Sequence, residues 1–123
     1  MSDKKKVLLA EDNTTLALLL KFRLEKEGYE LLMAEDGKVA IELLEEHTPD
    51  LILTDIMMPF VSGLELISHV RNELNMQAIP IIVFSAAGQE EMVLKAFNLG
   101  ANDFMGKPFS PNELVIRIKR LLR

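Results

Sequence analysis

Short apolar runs alternate with longer amphipathic ones along this chain, and the alternation repeats five times. KVLLAE at residues 6–11 reads as a strand; Leu16, Leu19, Leu20 and Leu24 then recur at helical spacing until Gly28 stops the helix. YELLMA at 29–34 gives a second strand, and Ala40, Leu43 and Leu44 mark a short helix ending before Pro49. DLILT at 50–54 is the third strand. Its helix is expected from Ser62, because Ser62-Gly63-Leu64-Glu65 has the Ser-x-x-Glu form of a capping box. IPIIVFS at 79–85 is the fourth strand; Met92, Val93, Ala96 and Phe97 follow as a helix stopped by Gly100. NDFMG at 102–106 is the fifth and weakest strand. The last helix begins at Ser110-Pro111-Asn112-Glu113, a second capping-box pattern with proline at the first helical position, and Leu114, Ile118, Leu121 and Leu122 form its apolar stripe.

Five βα units in series predict a doubly wound α/β fold: a five-stranded parallel sheet with helices on both faces. The third and fourth strands are near-continuous apolar runs, as central parallel strands are. No linker, repeat or low-complexity segment interrupts the chain, so residues 1–123 are expected to form one domain. Such a fold binds its ligand outside the carboxyl ends of the strands.

Composition narrows the picture. At 123 residues, 49% hydrophobic and 27% charged, the chain has the balance of a globular protein with a real core. The absence of cysteine excludes disulfides, thiolate metal sites and thiol nucleophiles. A formal charge of −5 argues against non-specific binding to nucleic acid or anionic membranes. Lys4, Lys5 and Lys6 precede no apolar run of signal-peptide length, and no stretch approaches the roughly 20 apolar residues of a membrane helix. A cytoplasmic location is expected.

Four of the five strands end in a charged or reactive residue: Glu11 and Asp12 after the first, Asp55 after the third, Ser85 after the fourth and Lys107 after the fifth. The second ends only in Ala34 and Glu35. Each has an ordinary explanation. Asp12 can cap the first helix, Ser85 can be a turn serine, and Lys107 can be a solvated loop residue. Asp55 is harder to dismiss, because Ser62 already supplies the cap for the helix that follows. In a parallel sheet these ends converge on one edge.

Two carboxylates about 4 Å apart repel by roughly 4 kcal/mol near a protein surface. Lys107 alone does not balance three clustered acids. A hard divalent cation does, and Mg2+ suits a few carboxylates combined with water and phosphate oxygens. An acid cluster with a cation, a lysine and a hydroxyl is equipped to handle a phosphoryl group. His47 and His69 fall on or near helices away from the strand ends, and the sequence has neither a Walker-type phosphate loop nor a Gly-x-Gly-x-x-Gly dinucleotide fingerprint. A carboxylate nucleophile remains, and Asp55 is the central one.

LLAEDN, LILTDIMMP, IIVFSA and GANDFMGKPF, in this order and spacing, closely resemble the receiver domain of two-component response regulators over essentially the whole chain. The resemblance implies a flavodoxin-like sheet of order 2-1-3-4-5. It implies that Asp55 accepts a phosphoryl group from a phosphohistidine kinase, a phosphotransfer protein or a small phosphodonor. Asp12, Asp55 and the Met57 carbonyl would ligate Mg2+, with Glu11 nearby, and Lys107 would contact the acids and then the phosphoryl group. Ser85 would bond a phosphoryl oxygen, Phe104 would swing inward as Ser85 moves, and the Lys107–Pro108 peptide would be cis. Output would pass through the face of the fourth helix, fifth strand and fifth helix, with no direct nucleic-acid or membrane contact. Such a domain catalyses only its own phosphorylation and slow dephosphorylation.

Three departures from the family pattern stand out. Glu11 replaces the commoner aspartate, Phe104 has no hydroxyl, and Gly106 precedes the lysine without a branched side chain. Met57 and Ala87 offer no side-chain hydrogen bond to an attacking water, which predicts a long-lived acyl phosphate. Met58 reads as adaptable packing beside a loop that must shift. Arg117, Lys119, Arg120 and Arg123 read as solvated cations at a helix C-terminus. The rival readings are a receiver-like interaction module that is never phosphorylated, a flavodoxin-like cofactor binder and a Mg2+-dependent phosphatase. The last two lack, respectively, a Ser/Thr-rich first loop and an acid at Met57.

Overall fold

All five expected strands form, and they pair in parallel in the order β2-β1-β3-β4-β5 in a computed structural model that describes residues 4–123. The strands are β1 (Lys6–Ala10), β2 (Glu30–Ala34), β3 (Leu51–Asp55), β4 (Ile81–Ser85) and β5 (Asp103–Gly106). Between and after them run α1 (Thr14–Lys26), α2 (Gly37–Glu46), α3 (Gly63–Ser68), α4 (Glu90–Leu99) and α5 (Pro111–Leu121). The single-domain expectation for 1–123 includes residues 1–3, which lie outside the described residues.

Every residue of β3 and β4 is buried, which is why neither alternates in polarity. The alternation reappears in which face each side chain packs against. Val7, Leu9, Leu51, Leu53, Ile82 and Phe84 meet Ala17, Leu20 and Leu24 of α1 and Leu114, Val115 and Ile118 of α5. Leu8, Ile52, Ile81 and Val83 point the other way, toward Ala40 and Leu44 of α2, Leu66 and Ile67 of α3, and Val93 and Ala96 of α4. The sheet therefore has a core on each side, which leaves the strand ends for chemistry.

Local departures from expectation have simple causes. Leu19 does not join the buried stripe of α1; it lies with Leu18 and Phe22 on the outer face, and Ala17 takes the inner position. The capping box at Ser62 forms in full: Ser62 accepts from the Glu65 N–H at 3.2 Å, and Glu65 accepts from the Ser62 N–H at 3.1 Å. The one at Ser110 does not. Ser110 accepts from the Asn112 N–H, while the Glu113 carboxylate turns to Arg117 at 2.9 Å. The third helix also changes pitch, continuing from α3 as a π-helical turn, His69–Glu73. That turn carries Arg71, whose buried guanidinium donates to the carbonyls of Gly100 and Met76 and to Asn102 Oδ1. Two of the basic residues of α5 are ion-paired: Arg117 meets Asp103 at 2.8 Å, and Lys119 meets Glu27, the residue that follows α1, at 2.9 Å. Met58 packs half-buried on the core, as its adaptable side chain suggests.

Candidate functional site

The sheet register brings the strand ends together. Ala10 pairs with Thr54, Asp55 with Phe84, and Ser85 with Gly106, so the residues that follow β1, β3, β4 and β5 share one edge. Edge β2 contributes only backbone: the Ala34 carbonyl accepts the Glu11 N–H at 3.0 Å. The Lys107 N–H donates to the Ser85 carbonyl at 2.7 Å and ties the last two strand ends. The Lys107–Pro108 peptide is cis.

Asp12 does not cap α1. Asn13 does, its side-chain oxygen accepting the Leu16 N–H at 3.0 Å, and this leaves Asp12 exposed at the mouth of the site. Glu11 is buried behind it, with Oε2 accepting the Asn13 N–H at 3.0 Å. Lys107 Nζ lies 2.9 Å from Glu11 Oε1 and 2.7 Å from Asp55 Oδ1. The Glu11 contact has ion-pair distance without hydrogen-bond geometry, and Asp55 Oδ2 is buried with no hydrogen bond at all. Carboxylate oxygens of Glu11, Asp12 and Asp55 lie within 4.8 Å of one another. An all-oxygen donor set containing an orphaned buried oxygen fits a hard divalent cation such as Mg2+.

Burial, together with the facing Glu11, pushes Asp55 up to about 8 against the pull of Lys107. Burial also opposes the Glu11 anion, but the proximity of Asp55 and Lys107 and the hydrogen bond from the Asn13 N–H outweigh it and hold Glu11 below its usual range. Burial disfavours the Lys107 ammonium, yet the two carboxylates raise its pKa. Without a cation, then, the Glu11–Asp55 pair holds on to a proton above the usual carboxylate range.

This has a consequence for stability. With a folded-state pKa near 8 and an unfolded one near 4, Asp55 keeps a proton in the native state that the unfolded chain releases. Its contribution to stability therefore falls as pH rises through that window. Asp55→Asn is expected to raise the Tm in EDTA by roughly 5 °C at pH 8, with little change at pH 5, in a thermal melt followed by circular dichroism.

Two of the cavities that border the cluster lie on the side of Asp55 and Ser85. One of about 150 Å3 lies over Asp55 and is lined by Asp12, Met57, Ala86, Gln89 and Lys107 among others. A larger one of about 470 Å3 lies beyond Ser85, between α4 and β5, with Val93, Leu94, Phe97 and Phe104 in its wall. Ser85 is buried at the junction, lining only the larger cavity. Phe104 is 41% exposed and meets Phe97 edge-on at 6.1 Å, so its ring stands outside the core. Met57 is half-exposed and Ala87 exposed. His47 is the C-cap of α2 and His69 opens the π-helical turn after α3, so neither is among the residues gathered at the strand ends. Sequence reasoning did not single out Asn13 or Gln89. Asn13 was as legible as Asp12, since both residue types favour N-caps; Gln89 carried no such signal.

A parallel α/β domain that gathers three acids, a lysine and a hydroxyl at the carboxyl edge of its sheet is built as a signalling receiver. The chain belongs to the response regulator receiver domain family, whose model matches residues 7–119, and so to two-component signalling. It is 40% identical over 97% of its length to the phosphate regulon transcriptional regulatory protein PhoB of Escherichia coli, covering 52% of that protein. It is 38% identical to the alkaline phosphatase synthesis transcriptional regulatory protein PhoP of Bacillus subtilis, covering 97% of this chain and 49% of that one. The chain thus spans about half the length of these curated relatives. Among solved structures, the receiver domain of the Francisella response regulator 1452 superposes with a TM-score of 0.88 at 34% identity, covering 97% of each chain. The chemotaxis response regulator CheY4 of Vibrio cholerae gives 0.89 at 28% identity, covering 97% of this chain and 99% of its own. Among the described residues no helix is long and apolar enough to cross a membrane.

Proposed function

We propose that this chain is a phosphoacceptor switch in which Asp55 takes a phosphoryl group from the phosphohistidine of a sensor kinase or phosphotransfer protein, or from a small phosphodonor. The observation that carries this is the Asp55 carboxylate itself, buried beneath a cavity, with one oxygen on the Lys107 ammonium and the other without a hydrogen bond. In the transfer, a carboxylate oxygen of Asp55 forms the new O–P bond as the N–P bond to the donor imidazole breaks. The electron pair of that bond goes to the imidazole nitrogen. Lys107 offsets charge on the acids beforehand and on the phosphoryl oxygens afterwards. Glu11, Asp12, Asp55 and the Met57 carbonyl are the residues that would hold Mg2+, which when bound neutralises phosphoryl oxygens.

The product is a bulkier group with more charge than the carboxylate it replaces. Ser85 supplies a hydroxyl to a phosphoryl oxygen, and its displacement opens the larger cavity to the Phe104 ring. Only an interaction that differs between the two states can shift their balance, and both residues supply one. The face of α4, β5 and α5, where Leu94, Phe97, Phe104 and Ile116 are exposed, would carry the change to an effector or output domain. The domain itself binds neither nucleic acid nor membrane on this reading, acts in the cytoplasm, and turns over no other substrate.

Intact mass spectrometry after incubation with Mg2+ and acetyl phosphate, and separately with a phosphorylated histidine kinase, tests the proposal. One added phosphoryl group is expected, blocked by EDTA and absent in Asp55→Asn. No gain from either donor would defeat it, as would a gain that persists in the variant. Because Met57 offers the attacking water no hydrogen bond, Met57→Asn is expected to shorten the acyl-phosphate lifetime several-fold, about the worth of one ordinary net hydrogen bond. Decay of the phosphorylated mass over time measures this, and an unchanged or longer lifetime sinks it.

A further inference from the structure

The cavity over Asp55 has one polar wall residue that the transfer above leaves without a task. Gln89 lines it together with Asp12, Asp55 and Lys107, and its carboxamide oxygen accepts the Ala86 backbone N–H at 2.7 Å. The acceptor must be the oxygen, because a backbone N–H can only donate. Gln89 occupies the N-cap position of α4, with φ −106° and ψ 24°, but makes no capping hydrogen bond into the helix. Its side chain is instead folded back onto the loop that leaves Ser85.

We propose that Gln89 is a latch: it holds the Ala86 N–H in the unphosphorylated protein, and a phosphoryl group on Asp55 takes that N–H over, freeing the start of α4. The inference rests on the phosphoacceptor reading. Its physical basis is competition for a single donor. The carboxamide oxygen is a neutral acceptor, whereas a phosphoryl oxygen is ionised, and charge-assisted hydrogen bonds are roughly twice as strong. Ala86 and Gln89 both line the Asp55 cavity, so the hydrogen bond between them borders the space that the new group would fill.

Gly88 sits beside Gln89 with φ +87°, a conformation that glycine adopts without steric cost. Beyond Gln89, Glu90, Val93 and Leu94 line the larger cavity with Phe97 and Phe104. Release of Gln89 therefore acts first on the turn of α4 that borders the space Phe104 must enter. Gln89 is a positioning residue on this account, since it acts on Ala86 and not on the reacting atoms.

Gln89→Met in the full chain keeps the side-chain length and removes the acceptor. Two results are expected. Amide exchange followed by NMR shows a faster Ala86 N–H in the unphosphorylated variant than in the wild type, while Gln89→Glu, which keeps an acceptor oxygen, retains protection. The acetyl phosphate concentration giving half phosphorylation in Mg2+ falls about two- to tenfold in Gln89→Met, the worth of one ordinary net hydrogen bond. If the wild type is phosphorylated normally but either the Ala86 exchange rate or the half-phosphorylation concentration is unchanged in Gln89→Met, the latch is overturned and the phosphoacceptor reading stands. A wild-type chain that accepts no phosphoryl group from acetyl phosphate or a kinase defeats that reading, and the latch with it.

Discussion

Gly63→Ala is expected to destabilise the protein by about 3 kcal/mol, lowering the Tm by roughly 10 °C, and to cripple phosphoryl uptake. A Cβ at this position would sit 1.9 Å from the Asp55 carbonyl oxygen and 2.9 Å from both the Asp55 carbonyl carbon and Ile56 Cα. All three are backbone atoms, so no side chain can turn aside to make room. The Gly63 N–H also donates to the Ile56 carbonyl at 2.7 Å, locking the start of α3 against the end of β3. Relief of the overlap must move either α3 or the strand end that presents Asp55. Gly106→Ala is the control: a Cβ there meets nothing within 4 Å, and the change should be neutral or stabilise by about 0.5 kcal/mol. Paired thermal melts check both, and equal Tm values for the two variants would contradict this account of Gly63.

Lys107→Met is expected to cost about 2–3 kcal/mol at pH 9 and clearly less at pH 6, measured by urea titration in EDTA. The ammonium lies within 3 Å of two carboxylates whose side chains are almost fully buried. Removing it leaves those acids facing each other without a cation. The sign with pH follows from Asp55, whose pKa of about 8 must rise further once Lys107 is gone. Below that value Asp55 is protonated and the pair bears a single charge; above it, two charges repel between side chains that are almost fully buried. Stability of the variant therefore drops most steeply on the alkaline side. A loss that is the same at both pH values would mean that Lys107 acts through packing and not through the acid cluster.

Much of this site could be read directly from the residues, because parallel strands place successive C-terminal ends on one edge and the polar residues there stand out against apolar runs. Asp55 was conspicuous at the end of β3 for that reason, and Ser62 explained the helix start that freed it from capping. What escaped depends on hydrogen bonds between distant segments. Arg71 looks like one more surface arginine on a helix; only the fold brings the Gly100 carbonyl and Asn102 to its guanidinium and shows it buried. Leu19 obeyed the spacing of a buried stripe, but α1 is apolar around much of its circumference, so spacing alone could not choose the inner face. The Ser110 motif had the letters of a capping box, yet Glu113 found a better partner in Arg117. Gln89 gave no local signal, since its role depends on a turn that folds its side chain back to Ala86.

The central claim is that one carboxylate, Asp55, receives the phosphoryl group. Reduction of the phosphorylated protein with borohydride converts an aspartyl phosphate to homoserine, and peptide mass mapping then locates it. The account predicts conversion at residue 55 and nowhere else, dependent on Mg2+. Homoserine at Asp12, reduction of Glu11 to 5-hydroxynorvaline, or a phosphoryl group that resists reduction because it sits on Ser85 or a histidine, would contradict it.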